Sequence, residues 1–93
     1  ISWLSNRKIR IRSLWVRDGG NHDTTMKIAS IGAHLLQLDI IGNGLSDIDM
    51  TKIVEDCRNM EILNISECQS ITDIGFSQIA ECCPNLTILY MSG

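Results

Sequence analysis

Residues 60–89 read MEILNISECQSITDIGFSQIAECCPNLTIL and combine two hydrophobic periodicities. Aliphatic side chains stand at the first, fourth and sixth positions, which are Met60, Leu63 and Ile65. The period of two between the fourth and sixth positions predicts a short strand that buries both of them. From Ile71 onward the apolar residues follow a helical spacing instead. The stretch therefore predicts a strand followed by a helix.

The two patterns recur along the chain, as they do in repeat proteins. Segments with the strand pattern start at residues 11, 35, 60 and 86, so successive starts are 24 to 26 residues apart. The sequence LSDIDMTKIVEDCRN at 45–59 aligns with ITDIGFSQIAECCPN at 71–85 after a shift of 26 residues. Apolar residues in the first of these segments are spaced along one helix face: Met50, Ile53, Val54 and Cys57.

The ends of the predicted helices carry the expected local signals. Ser46 and Thr72 stand where a side chain can cap a helix start, and each is followed by an aspartate, Asp47 or Asp73. The negative charges are favourable there because the helix dipole is positive at its start. Pro84 lies at the exit of the last helix, where it stops the helix and makes the next strand begin.

A unit of about 25 residues cannot bury its own apolar face, so successive units must stack. Strands that are joined through helices pair in parallel. The predicted fold is an α/β solenoid, a right-handed βα superhelix with parallel strands on the concave face and helices on the convex face. It forms one domain over residues 1–93 and is expected to be truncated at both ends. The strands are predicted near 11–17, 35–41, 60–66 and 86–92, and the helices near 24–33, 46–57 and 72–83.

The repeating unit L-x-x-L-x-L-x-x-N/C resembles the leucine-rich repeat. The string quoted above is similar to the cysteine-containing subclass that is typical of F-box proteins and their relatives. The resemblance rests on a cysteine at position nine, an ITD-x-G helix start and a CP-x-L exit, and it covers nearly the whole chain. Two positions depart from the pattern, because Gly19 stands at position nine of the first repeat and Arg58 stands where the proline is expected.

The four cysteines raise the alternatives of disulfides, a metal site, a nucleophile or structural thiols. Asn43 and Cys68 are predicted to occupy position nine, where the turning chain leaves buried backbone groups that need a polar partner. Cys57 and Cys83 are predicted on the inward helix face, and Cys82 towards the flank or solvent. Helix axes about 8–10 Å apart do not suit a disulfide, whose Cα atoms are at most about 6.8 Å apart.

Neither an enzyme nor a metal protein is predicted. The chain has no C-x-x-C pair, its two histidines are isolated in different repeats, and no set of catalytic groups converges. No cofactor is therefore expected. No apolar run approaches the length of about 18 residues that a membrane helix requires.

The charge of the chain is uneven. Residues 1–17 contain five basic residues and no acidic one, whereas residues 18–93 contain three basic and eleven acidic residues. A basic end could contact nucleic acid or an acidic partner. The basic residues alternate with aliphatic ones as on the exposed face of a strand, so a solvated edge is the preferred interpretation and no nucleic-acid partner is predicted.

The concave face is the predicted site of function, and its partner is expected to be a protein. Trp, Tyr and Arg are common anchors of protein interfaces. The predicted partner-binding residues are Trp15, Arg17, Asp39, Ile41, Ile62, Asn64, Ile88 and Tyr90, and the middle row of Trp15, Asp39, Asn64 and Tyr90 is expected to cross the sheet in register. An alternative role for the apolar members is to cover a sheet edge.

The resemblance implies that the repeats hold the substrate of a Skp–cullin–F-box ubiquitin ligase, with a separate F-box that binds the adaptor. A regulatory scaffold without an F-box fits the same residues. A third alternative is an extracellular recognition domain, which would carry cysteine-rich caps. Buried reduced thiols favour a cytoplasmic or nuclear protein.

Overall fold

The computed structural model describes residues 10–17, 22–41 and 44–91 of the chain. Its four strands are β1 (Ser13–Val16), β2 (Gln37–Ile40), β3 (Ile62–Asn64) and β4 (Ile88–Tyr90). Its three α-helices are α1 (His22–Ser30), α2 (Asp47–Asp56) and α3 (Asp73–Cys82), and a short 3₁₀ helix at Gly32–His34 follows α1. Each strand lies inside the range predicted for it and is shorter than that range.

The four strands form one parallel sheet in the order β1-β2-β3-β4. A helix separates each of the described strands from the next, and this connection is what parallel neighbours require. The predicted α/β solenoid is therefore confirmed. No helix among the described residues is long and apolar enough to cross a membrane.

One hydrophobic core lies between the sheet and the helices. The even-numbered side chains of β2, Leu38 and Ile40, are fully buried, as is Leu63 of β3. The core also contains Ile53 of α2 and Ile79 of α3, which come from equivalent positions of successive repeats. β2 and β3 bury alternate residues, and no layer of described residues covers the other face of the sheet.

The predicted caps form at α2 and α3. The Ser46 hydroxyl accepts a hydrogen bond from the Asp49 amide, and the Asp49 carboxylate accepts one from the Ser46 amide, which completes a capping box. At the start of α3 the Thr72 hydroxyl accepts a hydrogen bond from the amide of Ile74 at 3.3 Å. These bonds satisfy amides that have no partner within the helix.

Side chains also bond one repeat to the next, and five of these bonds run in the same direction. In each, the donor belongs to the later repeat and the acceptor to the earlier one. The Asn59 amide donates to the Ala33 carbonyl at 2.8 Å, and the Thr87 hydroxyl donates to the Glu61 carbonyl at 3.2 Å. The other three donors are the side chains of Cys68, Thr72 and Cys83.

Candidate functional site

The candidate site is the face of the sheet that points away from the helices, called here the open sheet face. Among the described residues it comprises Ser13, Trp15, Arg17, Gln37, Asp39, Ile41, Ile62, Asn64, Ile88 and Tyr90. The pairing of the strands places Trp15 beside Asp39, Asp39 beside Asn64, and Asn64 beside Tyr90. The middle row therefore crosses the sheet in the predicted register.

Trp15 and Tyr90 are the two aromatic side chains of this row and stand at its opposite ends. Trp15 is 75 % exposed and Tyr90 is 56 % exposed. An indole in water leaves a large apolar surface uncovered, and burying such a ring is a main source of binding energy at protein interfaces. Their positions give the open sheet face an aromatic group at each lateral edge.

Two depressions adjoin Trp15. The smaller, of about 130 Å³, is lined by Trp15, Val16, Arg17, Asp39 and Ile41. The larger, of about 320 Å³, lies nearer the start of β1 and is lined by Ser13, Leu14, Trp15 and Gln37. Both are open to solvent, whereas small-molecule pockets bury most of their ligand.

The aliphatic members of the open sheet face differ in exposure. Ile41 is 41 % exposed and Ile88 is 39 % exposed, while Ile62 is half-buried between the flanking strands. Arg17 is exposed directly after β1, and Asp39 is half-buried. The face therefore offers two exposed isoleucines beside its aromatic ends, with one exposed basic group.

Asn64 has a local role that the sequence did not suggest. Its side-chain carbonyl accepts hydrogen bonds from the Ser66 amide at 3.1 Å and from the Ser66 hydroxyl at 2.6 Å. An asparagine that bonds its own chain two residues later forms a turn. Asn64 thus starts the loop that leaves β3 while it lies in the middle row of the open sheet face.

Cys68 lies at the interface between two repeats. Its half-buried thiol faces the Ile40 carbonyl of the preceding repeat at 3.8 Å and the Ser66 carbonyl at 3.6 Å. The thiol is a weak hydrogen-bond donor, and it lies beside two backbone carbonyls that point inward, as was expected for position nine. Asn43, its predicted counterpart one repeat earlier, lies outside the described residues.

Cys57 and Cys83 are buried and equivalent, and all four cysteines are free thiols. The Cys83 thiol donates to the Cys57 carbonyl at 3.4 Å. Burial raises the pKa of Cys57 to about 12 and that of Cys83 to about 11. Since the thiolate is the nucleophile and the metal ligand, both groups are poorly suited to chemistry at neutral pH.

Gly32 occupies the position equivalent to Cys57 and Cys83 one repeat earlier. A Cβ at Gly32 would lie 2.5 Å from the Cys57 sulfur and 2.9 Å from the Asp56 carbonyl oxygen. The missing side chain at residue 32 therefore leaves the space that the Cys57 thiol occupies. The sequence patterns did not reveal this dependence.

The prediction for Cys82 was wrong. This residue was expected to point towards the flank or solvent, but it is only 7 % exposed and belongs to the core. It is the last residue of α3 and lies three positions after Ile79, so both occupy one helix face. Cys83 is the C-cap, where the chain has already left the helix, and both neighbours are therefore buried.

Sequence reasoning also missed a bond between repeats at the start of α3. The Asp47 carboxylate accepts a hydrogen bond from the Thr72 amide at 2.8 Å and another from the Thr72 hydroxyl. The Gly75 amide contributes as well, and bonds from Thr72 are the main reason that the pKa of Asp47 lies below its usual value. The sequence shows that Asp47 and Asp73 each follow a hydroxyl residue at equivalent positions, but this pattern does not indicate which residue bonds to Asp47.

The described residues contain no group of three or more metal-ligating side chains.

Comparison with known proteins agrees with the geometry. A family model described as Leucine Rich repeat matches residues 56–80. The chain is similar to the F-box protein SKIP19 of Arabidopsis thaliana, with 35 % identity over 51 residues. The aligned part is 55 % of this chain and 17 % of that protein, so the chain spans only a small part of the relative's length. No solved structure gives a significant match.

Proposed function

We propose that this chain is part of a leucine-rich repeat protein and that its open sheet face binds the substrate protein of an F-box-type ubiquitin ligase. The coarser role follows from the family, because leucine-rich repeats typically serve as protein-interaction scaffolds rather than as enzymes. The ligase role is supported by the similarity to an F-box protein.

The observation that carries the proposal is the exposed aromatic pair in the middle row of the open sheet face. Trp15 and Tyr90 are more than half exposed although they stand on a parallel sheet. Both faces of a parallel sheet are usually covered. A partner protein that lies across the row from Trp15 to Tyr90 would supply the missing layer and bury both rings.

The proposal places the protein in the cytoplasm or the nucleus. Its four cysteines are free, and two of them have pKa values raised by burial. Free buried thiols are usual in proteins of reducing compartments, which supports this location.

The test uses the full-length protein that contains these repeats, with an affinity tag. Proteins captured by the wild type are compared with those captured by the Trp15→Ala, Tyr90→Ala double variant. The matched control is Ile48→Ala, Ile74→Ala, which removes two exposed apolar side chains from the helices. Circular dichroism verifies that each variant is folded.

We expect the double variant of the open sheet face to lose the substrate proteins and to retain a Skp-type adaptor. The helix variant should retain both. Capture of the same substrate proteins by all three forms would show that binding occurs elsewhere. Capture of substrates with no adaptor in any form would instead support a regulatory scaffold without an F-box.

A further inference from the structure

Asp39 is a half-buried acidic residue in the middle row of the open sheet face. The strand that carries it, β2, has a paired strand on each side, β1 and β3. Among the described residues, none donates a hydrogen bond to the Asp39 carboxylate and none forms an ion pair with it. A carboxylate that loses part of its hydration without gaining a partner is unfavourable. A cation from a bound protein would supply that partner.

The ring of Trp15 lies on the strand next to Asp39. The two residues are partners in the pairing of β1 with β2, and neighbouring strands are about 4.8 Å apart. Trp15 is largely exposed, so its ring is accessible to a ligand. An indole attracts a cation that lies over its face within about 6 Å of the ring centre. One cation can therefore contact the ring and reach the carboxylate at the same time.

The smaller depression beside Trp15 has room for one side chain. Its volume of about 130 Å³ is below the range of about 300–1,000 Å³ that is usual for small-molecule pockets. Val16 and Ile41 give it apolar walls, and Asp39 gives it a negative charge. Lysine and arginine combine an apolar stem, which packs along such walls, with a charged end. The depression therefore matches the side chain of a basic residue.

Arg17 lines the same depression but does not neutralise Asp39. It is exposed directly after β1, and it forms no ion pair within the described part of the chain. An exposed guanidinium keeps its hydration and can turn towards water, whereas Asp39 is held between two strands. The charge that selects the occupant is therefore the negative one.

Asn64 lies on the other side of Asp39 and offers a contact for a backbone. Its side-chain carbonyl is already occupied by the Ser66 amide and hydroxyl. No described residue accepts a hydrogen bond from its NH₂ group. This group has two donors, and a backbone carbonyl of a bound chain can accept from them.

We propose that the open sheet face selects a substrate segment in extended conformation, whose lysine or arginine side chain enters the depression between Trp15 and Asp39. A backbone carbonyl of the segment accepts a hydrogen bond from the Asn64 side chain. This inference rests on the proposed function, because it names the chemistry of the substrate for that face. An acidic side chain would meet a like charge at Asp39, and a neutral one would leave the carboxylate unpaired, so both are disfavoured.

The test uses a phage-displayed library of short random peptides, selected on the full-length protein that contains these repeats. Parallel selections use the wild type, Asp39→Lys, and the Trp15→Ala, Tyr90→Ala double variant. The matched control is Glu81→Lys, which makes the same charge change at an exposed position of α3. Circular dichroism verifies that each variant is folded.

We expect the wild type and Glu81→Lys to enrich peptides with lysine or arginine at one fixed position. Asp39→Lys should enrich aspartate or glutamate at that position instead. A merely structural role of Asp39 would not produce this reversal. The double variant should enrich neither kind of peptide.

A synthetic peptide from the selection then measures the coupling between its basic residue and Asp39. Fluorescence anisotropy gives its affinity for the wild type and for Asp39→Asn, before and after norleucine replaces the lysine or citrulline replaces the arginine. On the wild type the replacement should weaken binding by about tenfold, as expected for a charged hydrogen bond, and on Asp39→Asn by much less. Arg17→Gln should tighten binding by about twofold, because it removes a positive charge from the depression.

Four results would overturn the inference. Selected peptides that have no preferred basic residue but are lost by the double variant would do so and leave the proposed function standing. Peptides bound equally by all forms, the double variant included, would overturn both. Selection of acidic peptides whose binding depends on Arg17 would assign the depression to a negative side chain. Enrichment of no peptide by the wild type would show that the face does not recognise an extended segment.

Discussion

Leu63 and Leu89 occupy equivalent positions on neighbouring strands, and the same substitution should have different costs at the two sites. Leu63 is fully buried between Leu38 and Leu89, whereas Leu89 has a neighbouring strand on one side only. Leu63→Ala removes buried methyl groups and leaves a cavity that the surrounding core cannot close. For a site of this kind the expected loss is about 3 kcal/mol of the free energy of unfolding.

At Leu89 the loss should be about half as large. With 38 % of the residue exposed, roughly three-fifths of the transfer free energy of three carbons is at stake, which is about 1.5 kcal/mol. Water fills the space that the shorter side chain leaves, so the cavity contribution is absent. The difference between the two variants is therefore about 1.5 kcal/mol, against a total stability of about 5–14 kcal/mol for a chain of this length.

Urea unfolding followed by far-ultraviolet circular dichroism measures both variants, and Leu38→Ala serves as a second interior reference. We expect Leu38→Ala and Leu63→Ala to lower the free energy of unfolding much more than Leu89→Ala does. Equal losses at Leu63 and Leu89 would refute the reasoning, since they would mean that the last strand is packed as tightly as the interior strands.

Three further predictions concern polar and small residues. Gly32→Ala should cost about 1–3 kcal/mol, because the new methyl group meets the Cys57 sulfur and the Asp56 carbonyl, and thermal unfolding would reveal it. Asp47→Asn should be less stable than the wild type at neutral pH. Because the folded protein lowers the pKa of Asp47, this advantage of the wild type is present above the ordinary aspartate pKa of about 4 and is lost as the pH falls below it, as urea titrations across pH 2–7 would show. Cys57 should react with iodoacetamide at pH 8 far more slowly than the half-buried Cys68, and uniform labelling of the two in mass spectrometry would contradict this. Because burial raises the pKa of Cys57 to about 12, the free energy of unfolding should fall as the pH rises from about 9 to 12. A free energy of unfolding that stays constant over this pH range would contradict the second expectation.

Most of the fold was predictable because it depends on local patterns repeated along the chain. The alternation at Leu38 and Leu63 indicated which side chains enter the core, and Ser46 and Thr72 lie where their helices begin. A repeat also fixes the sheet order, since each unit can pair only with its neighbours. The family resemblance therefore agrees with features that the residues themselves predict.

The errors and omissions concern contacts between units. Cys82 was misplaced because helical spacing from Phe76 assigns the inward position to Cys83 and does not show where the helix stops. The bond from Thr72 to Asp47 joins residues 25 positions apart, and a periodic pattern does not say which side chain of one unit meets which of the next. The partner proposed for the open sheet face could not be identified from the sequence for a related reason, because Trp15 and Tyr90 are exposed and a repeat pattern does not specify what covers an exposed ring.

The common direction of the five side-chain bonds between repeats has a consequence for biosynthesis. The later unit brings the donor in each of the five bonds, and the earlier unit already presents the carbonyl or carboxylate that accepts it. A ribosome releases the earlier unit first, and domains fold in that order during translation. In each of these five bonds, the unit that emerges later therefore supplies the donor to an acceptor on the unit synthesised before it.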